Sequence, residues 1–126
     1  MPLSSAVRDR CRALLQPGEV VRYLFPATSV ALGRGVLGTA PFIVVVSDTG
    51  VTVLSCRWLR RHRPASVWAR HPRATRLGPV DTTMAPTITI GDLVLEIDEE
   101  YLAVVRAADA ELDGADRLPP DPLPDL

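Results

Sequence analysis

The stretch TITIGDLVLEIDEEYLAVVRAADAELDG, residues 87–114, decides the fold class. TITI at 87–90 and LVLEI at 93–97 are short β-branched and aliphatic runs, and only Gly91-Asp92 separates them. A two-residue link that begins with glycine is a strong hairpin signal, because primed turns need positive φ. A helix follows at once over 98–113. Asp98 can cap it, and Glu99 and Glu100 sit where the positive end of the helix dipole favours carboxylates. That placement also accounts for the clustering of Glu96 with Asp98, Glu99 and Glu100. Tyr101, Val105, Ala108 and Leu112 recur at helical spacing, joined by Leu102 and Val104, and Gly114 is a natural stop. An antiparallel hairpin running directly into an amphipathic helix is not a βαβ unit.

Upstream, the same pattern repeats. FIVVV at 42–46 is β-branched and apolar, Ser47-Asp48-Thr49-Gly50 is a tight turn, and VTVLSCRWL at 51–59 returns as the second arm. Residues 60–64 turn again at Pro64, ASVWAR at 65–70 alternates as the next strand, and 71–80 is at most a short edge, broken by Pro72, Gly78 and Pro79. EVVRYLF at 19–25 reads as the first strand, ended by Pro26, and 27–41 as a small-residue connection. A helix over 4–15 precedes it. Ser4 or Ser5 can cap that helix, Val7, Cys11, Leu14 and Leu15 fall on one face, and Gln16-Pro17-Gly18 stops it. The expectation is a mainly β (α+β) chain: a curved antiparallel sandwich or partial barrel of about seven strands, with an N-terminal helix (1–18) and a C-terminal capping helix. The folded unit should span 19–114, followed by a flexible, proline-rich, acidic tail over 115–126.

A chain of 126 residues, 47% of them hydrophobic, suits one domain with a modest core. All 14 Lys+Arg positions are arginine. Without lysine, Schiff-base chemistry and a P-loop lysine are excluded. The formal net charge of −1 hides an asymmetry. Residues 49–80 hold seven arginines and no acid, whereas 81–126 hold twelve acids and two arginines. Cys11 and Cys56 stand far apart with no Cys/His cluster, so they read as reduced, buried, small hydrophobes in a cytoplasmic protein. The N-terminus lacks the apolar run of a signal peptide, and no stretch approaches the length of a transmembrane span.

The order of elements resembles the bacterial (actinobacterial-type) pleckstrin-homology-like domains. The residues that carry the likeness are Leu15-Gln16-Pro17-Gly18-Glu19 leading into the first strand, the hairpin around Val44–Val51, and the helix after Asp98, together covering roughly 14–113. The resemblance implies a barrel-like sandwich capped by a C-terminal helix, acting as a binding or assembly module without catalysis. Lipid-binding members of the wider superfamily place basic residues around the first loop. Here 26–41 holds only Arg34, and the two tryptophans, Trp58 and Trp68, lie on middle strands rather than in the terminal helix.

Four motifs bear on function. Gly33-Arg34-Gly35-Val36-Leu37-Gly38 spells a dinucleotide fingerprint, but a strand rather than a helix follows it, so it reads as a loop. Asp48-Thr49-Gly50 resembles the catalytic triplet of retroviral-type aspartic proteases, in which two subunits pair their aspartates. Turn chemistry is the default for this triplet, because it sits where a hairpin turn is needed, valine rather than alanine or serine follows it, and an Ile-Gly-Asp turn precedes the terminal helix. His62 and His71 have no neighbouring metal ligands, and neither metal nor cofactor is expected.

The arginines are the candidate binding residues. Arg57, Arg60, Arg61 and Arg63 form a hairpin-tip cluster, and Arg70, Arg73 and Arg76 an edge series. The edge series can pair with acids of the helix. The tip reads first as a solvated hairpin end that keeps edge strands soluble. As a binding surface it would meet an acidic or phosphorylated protein, nucleic acid or anionic lipid, with Trp58 or Trp68 stacking unless it fills the core. The leading expectation is a non-enzymatic interaction or assembly module that binds a protein partner or itself. Nucleic-acid or anionic-ligand binding through 57–76 is the alternative, and an aspartic-protease-like dimer using Asp48 a third.

Overall fold

The computed structural model describes residues 3–31, 40–57 and 60–117. Its elements are α1 (Ser5–Ala13), β1 (Val21–Ala31), β2 (Pro41–Ser47), β3 (Gly50–Arg57), β4 (Arg60–Pro72), β5 (Thr87–Ile90), β6 (Leu93–Glu96), a 3₁₀ turn (Glu99–Tyr101) and α2 (Leu102–Arg117). The strands form one antiparallel six-stranded sheet in the order β4-β3-β2-β1-β6-β5, curled into a half-barrel. The count is therefore six strands among the described residues, where about seven were expected.

The unbroken apolar run of β2 follows from its place in this sheet. All seven residues, Pro41 to Ser47, are buried. Phe42, Val44 and Val46 point to the concave side, where they join Phe25, Val51, Val53, Ile88, Ile90 and Leu95. Ile43 and Val45 point to the convex side, under α1, with Leu3, Val7, Cys11 and Leu54. A strand covered on both faces has no reason to alternate apolar with polar residues. On the concave side Tyr101 of the 3₁₀ turn and Val105 and Ala108 of α2 fill the half-barrel together with Leu77. Each such fully buried aliphatic or aromatic side chain stabilises by roughly 1.5–3 kcal/mol relative to an exposed one. On the convex side, the Ser4 Oγ accepts from the Val7 amide at 3.3 Å and starts α1. Val7 and Cys11, one turn apart, then bury the same face.

Several boundaries differ from the sequence expectation, each for a local reason. β1 does not end before Pro26. Pro26 pairs with Ile43, but pairing with β6 begins only at Thr28, so at Pro26 the strand has a single neighbour. A missing N–H on the open side costs the ladder nothing. Pro64 likewise does not end a turn. It lies within β4, at the edge of the sheet, opposite Cys56. Residues 71–80 add no strand beyond the end of β4; an isolated bridge joins Asp81 to Thr87 instead. The N-terminal helix is Ser5–Ala13, shorter than 4–15. Asp98 occupies the cap position but makes no side-chain cap bond, and α2 runs on past Gly114 to Arg117.

The β5–β6 turn contains Gly91 at φ 60°, as the hairpin reading required. A β-carbon there would stand 3.1 Å from Cε1 of His71, so this turn meets the end of β4 and draws the two sheet edges together at that end of the half-barrel. Among the described residues, no helix is long and apolar enough to cross a membrane.

Candidate binding surface

The seven candidate arginines separate into two groups. In the edge series, Arg70 donates to the Leu14 carbonyl at 3.0 Å, tying β4 to the end of α1. Arg73 donates to the Ala108 carbonyl at 3.1 Å and to Glu111 Oε1 at 3.2 Å. Its side chain is only 18% exposed. Arg76 pairs with Asp113. These three positions hold the C-terminal helix and α1 against the sheet.

The acceptors of Arg73 and Arg76 lie on α2. Asp109 accepts from the Leu77 and Gly78 amides at 2.9 and 2.8 Å, which fixes the segment after β4. Glu111 is the hub. It accepts from Arg22 Nε at 3.0 Å and Nη2 at 3.1 Å, from Arg73, and from the Tyr23 hydroxyl. The Arg22 and Tyr23 hydrogen bonds hold its carboxyl down at about 2. The same bond pushes the Tyr23 phenol above its ordinary range, because Glu111 accepts only from the protonated form. Sequence reading had the signal for part of this, since twelve acids follow the arginine run, but it did not single out Arg22, Tyr23 or Glu111.

The tip group is arranged differently. Arg57 is exposed at the end of β3, and its directly opposed partner in the antiparallel pair is Arg60. Like charges at opposed positions of a hairpin destabilise it. Arg61 follows in β4 and Arg63 is half-buried. The ladder is irregular here. Between the pairs Cys56↔Pro64 and Arg57↔Arg60, residues 61–63 have no opposite number on β3. Trp58, and the side chains of Arg60, Arg61 and His62, lie outside the described residues.

Further along β4, the pairs Leu54↔Val67 and Val53↔Ala69 leave Trp68 as an extra residue. Such a bulge re-aims a side chain. The Trp68 ring stands edge-on to Phe42, with centroids 5.3 Å apart and planes at 80°. Phe42 is buried, yet Trp68 remains 53% exposed. β4 therefore combines an outer edge with no strand neighbour among the described residues, a half-exposed tryptophan and an acid-free set of arginines.

The other motifs occupy separate places. Asp48 is exposed in the β2–β3 turn, where its Oδ1 accepts from the Val20 amide at 3.0 Å. The adjacent Ser47 hydroxyl donates to Glu19 and accepts from the Gly50 amide at 3.1 Å. The glycine motif at 33–38 lies outside the described residues. No group of three or more His, Cys, Asp or Glu among the described residues could hold a metal. Two open clefts lie away from β4. One of about 150 Å³ runs beside Pro26, Pro41 and Glu96, and one of about 480 Å³ lies between α2 and residues 76–80. Comparison with known proteins gave no matching family model, no matching curated protein and no matching solved structure.

Proposed function

We propose that this chain is a non-catalytic interaction module, of the pleckstrin-homology-like kind its element order resembles, and that it binds a protein partner through the β3–β4 hairpin. One observation carries the reading. The edge-series arginines are spent on internal acceptors, whereas Arg57 is exposed directly opposite Arg60 at the tip. An arrangement that costs the hairpin stability by itself is relieved when an anionic group binds between the two positions. The two free thiols support a reducing, cytoplasmic setting.

The test is a capture experiment with the wild-type chain and the variant Arg60→Glu/Arg61→Glu/Arg63→Glu, identifying retained protein, nucleic acid and lipid. The expected result is a protein retained by the wild type, released by salt and absent from the variant. A retained nucleic acid with steep salt dependence would replace this reading with the nucleic-acid alternative. If neither sample retains anything and the chain stays monomeric at every concentration, the module reading fails.

A further inference from the structure

We infer that Cys11 and Cys56 are a redox-sensitive pair, and that a small-molecule disulfide oxidises them to a cross-link that staples α1 to β3. The inference is independent of what the arginines bind.

The chain has two cysteines, on different elements and far apart in sequence. The fold brings both to one place. Cys11 is fully buried under α1, in the convex cluster with Leu3, Val7, Ile43, Val45 and Leu54. Cys56 packs against that same cluster from β3, two residues beyond Leu54. Burial raises the Cys11 thiol to about 11 and the Cys56 thiol to about 12, and the charge of Cys11 adds to the rise at Cys56. One sulfur feels the other's charge in this way only when the two are near each other. A metal centre is not the use of the pair, since no group of three or more His, Cys, Asp or Glu among the described residues could hold one.

The surroundings suit a pair that can close. A disulfide needs α-carbons within about 7 Å and β-carbons that face each other, so closure asks for freedom of small movement. The β3–β4 register shifts on both sides of the pair Cys56↔Pro64, which loosens the ladder at that residue. On the other side, α1 ends at Ala13, two residues past Cys11, so Cys11 lies in its last turn. Exposure is unequal as well. Cys56 is partly exposed and Cys11 is not, so an oxidant meets Cys56 first and Cys11 resolves.

The chemistry is two thiol–disulfide exchanges. The Cys56 thiolate attacks the small disulfide, expels one thiol and holds the other half as a mixed disulfide. The Cys11 thiolate then attacks the Cys56 sulfur and expels the second thiol. The chain loses two electrons and two protons, and the oxidant becomes two thiols. Both protein thiols are protonated at neutral pH, so closure is slow there and quickens about tenfold per pH unit. Closure pins α1 over the convex core, at the helix whose end Arg70 already holds through the Leu14 carbonyl.

The experiment uses the full reduced chain, with oxidised and reduced glutathione at fixed ratios near pH 8.5 and a parallel sample in guanidinium chloride. Samples are quenched in acid, denatured, alkylated, and read by intact mass and peptide mapping. The native chain should become a monomer that takes up no alkylating agent, with Cys11 linked to Cys56. Its closure constant should exceed that of the denatured chain by about tenfold or more, because a cross-link that fits the fold stabilises it. Tm should rise by about 5–10 °C on oxidation and return on reduction. Cys56→Ala should show no such difference between its oxidised and reduced samples, whatever its own Tm. Two alkylated thiols, glutathione retained without the link, cross-linked dimers in place of the monomer, or a closure constant no larger than in denaturant would each overturn the inference and leave both cysteines as packing residues.

Discussion

Replacing Glu111 with glutamine tests how α2 is held in the half-barrel. The substitution keeps the shape and removes the charge that accepts from Arg22, Tyr23 and Arg73. A carboxyl held at about 2, against an ordinary value of 4.5, sets an upper bound of about 3 kcal/mol on its pH-dependent stabilisation. Solvent screening reduces this, since Glu111 is 30% exposed and Arg22 is 48% exposed. The Arg73 and Tyr23 bonds are the better shielded ones and leave about 1–2 kcal/mol. For a domain of this size that corresponds to a fall in Tm of roughly 3–10 °C near neutral pH. The sign with pH follows from the lowered value. The stabilisation is full above about 4.5 and is lost as pH falls towards about 2, where the wild-type carboxyl is itself protonated. Thermal unfolding followed by circular dichroism from pH 7 to pH 2.5 should show a gap between the proteins that closes with acid. Equal Tm values at pH 7, or a gap that does not change with pH, would refute the assignment of Glu111 as the hub.

Three further outcomes follow. Gly91→Ala forces a side chain into a φ of 60° and towards the His71 ring, so chemical denaturation should show a loss of about 1–2 kcal/mol. Burial pushes the Cys11 thiol up to about 11 and the Cys56 thiol to about 12. Alkylation at pH 8 should therefore be slow in the native chain and fast in denaturant, and equal rates would contradict the packing of α1 on the sheet. Asp48→Asn keeps an acceptor for the Val20 amide and should unfold within about 0.5 kcal/mol of the wild type, whereas Asp48→Ala should lose about 1 kcal/mol. Peptide hydrolysis that Asp48→Asn abolishes would instead revive the protease alternative.

Legibility of the fold was highest where a single local rule decides. Gly91-Asp92 marked a turn because positive φ is a property of the residue, and the strand at 87–90 is found at those residues. FIVVV was legible because a run covered on both faces needs no polar residue. Pro26 and Pro64, inside β1 and β4, were harder. A proline ends a strand only where its missing N–H faces a neighbour, and whether Pro26 or Pro64 has one depends on how far β6 reaches and on β4 lying at the edge. Pro72, by contrast, does close β4, as its position suggested.

The sequence by itself determined the antiparallel, mainly β architecture between two helices, because hydrophobic periodicity and turn chemistry are local. It also determined that one stretch of the chain is basic and the next acidic. Only the tertiary structure decided which charges are spent. Arg70, Arg73 and Arg76 look like Arg57 and Arg60 when read along the chain. α2, more than thirty residues further on, brings Glu111 and Asp113 to Arg73 and Arg76, the end of α1 supplies a carbonyl to Arg70, and Arg57 is left opposite Arg60. That division depends on contacts between residues distant in sequence, which no local pattern encodes.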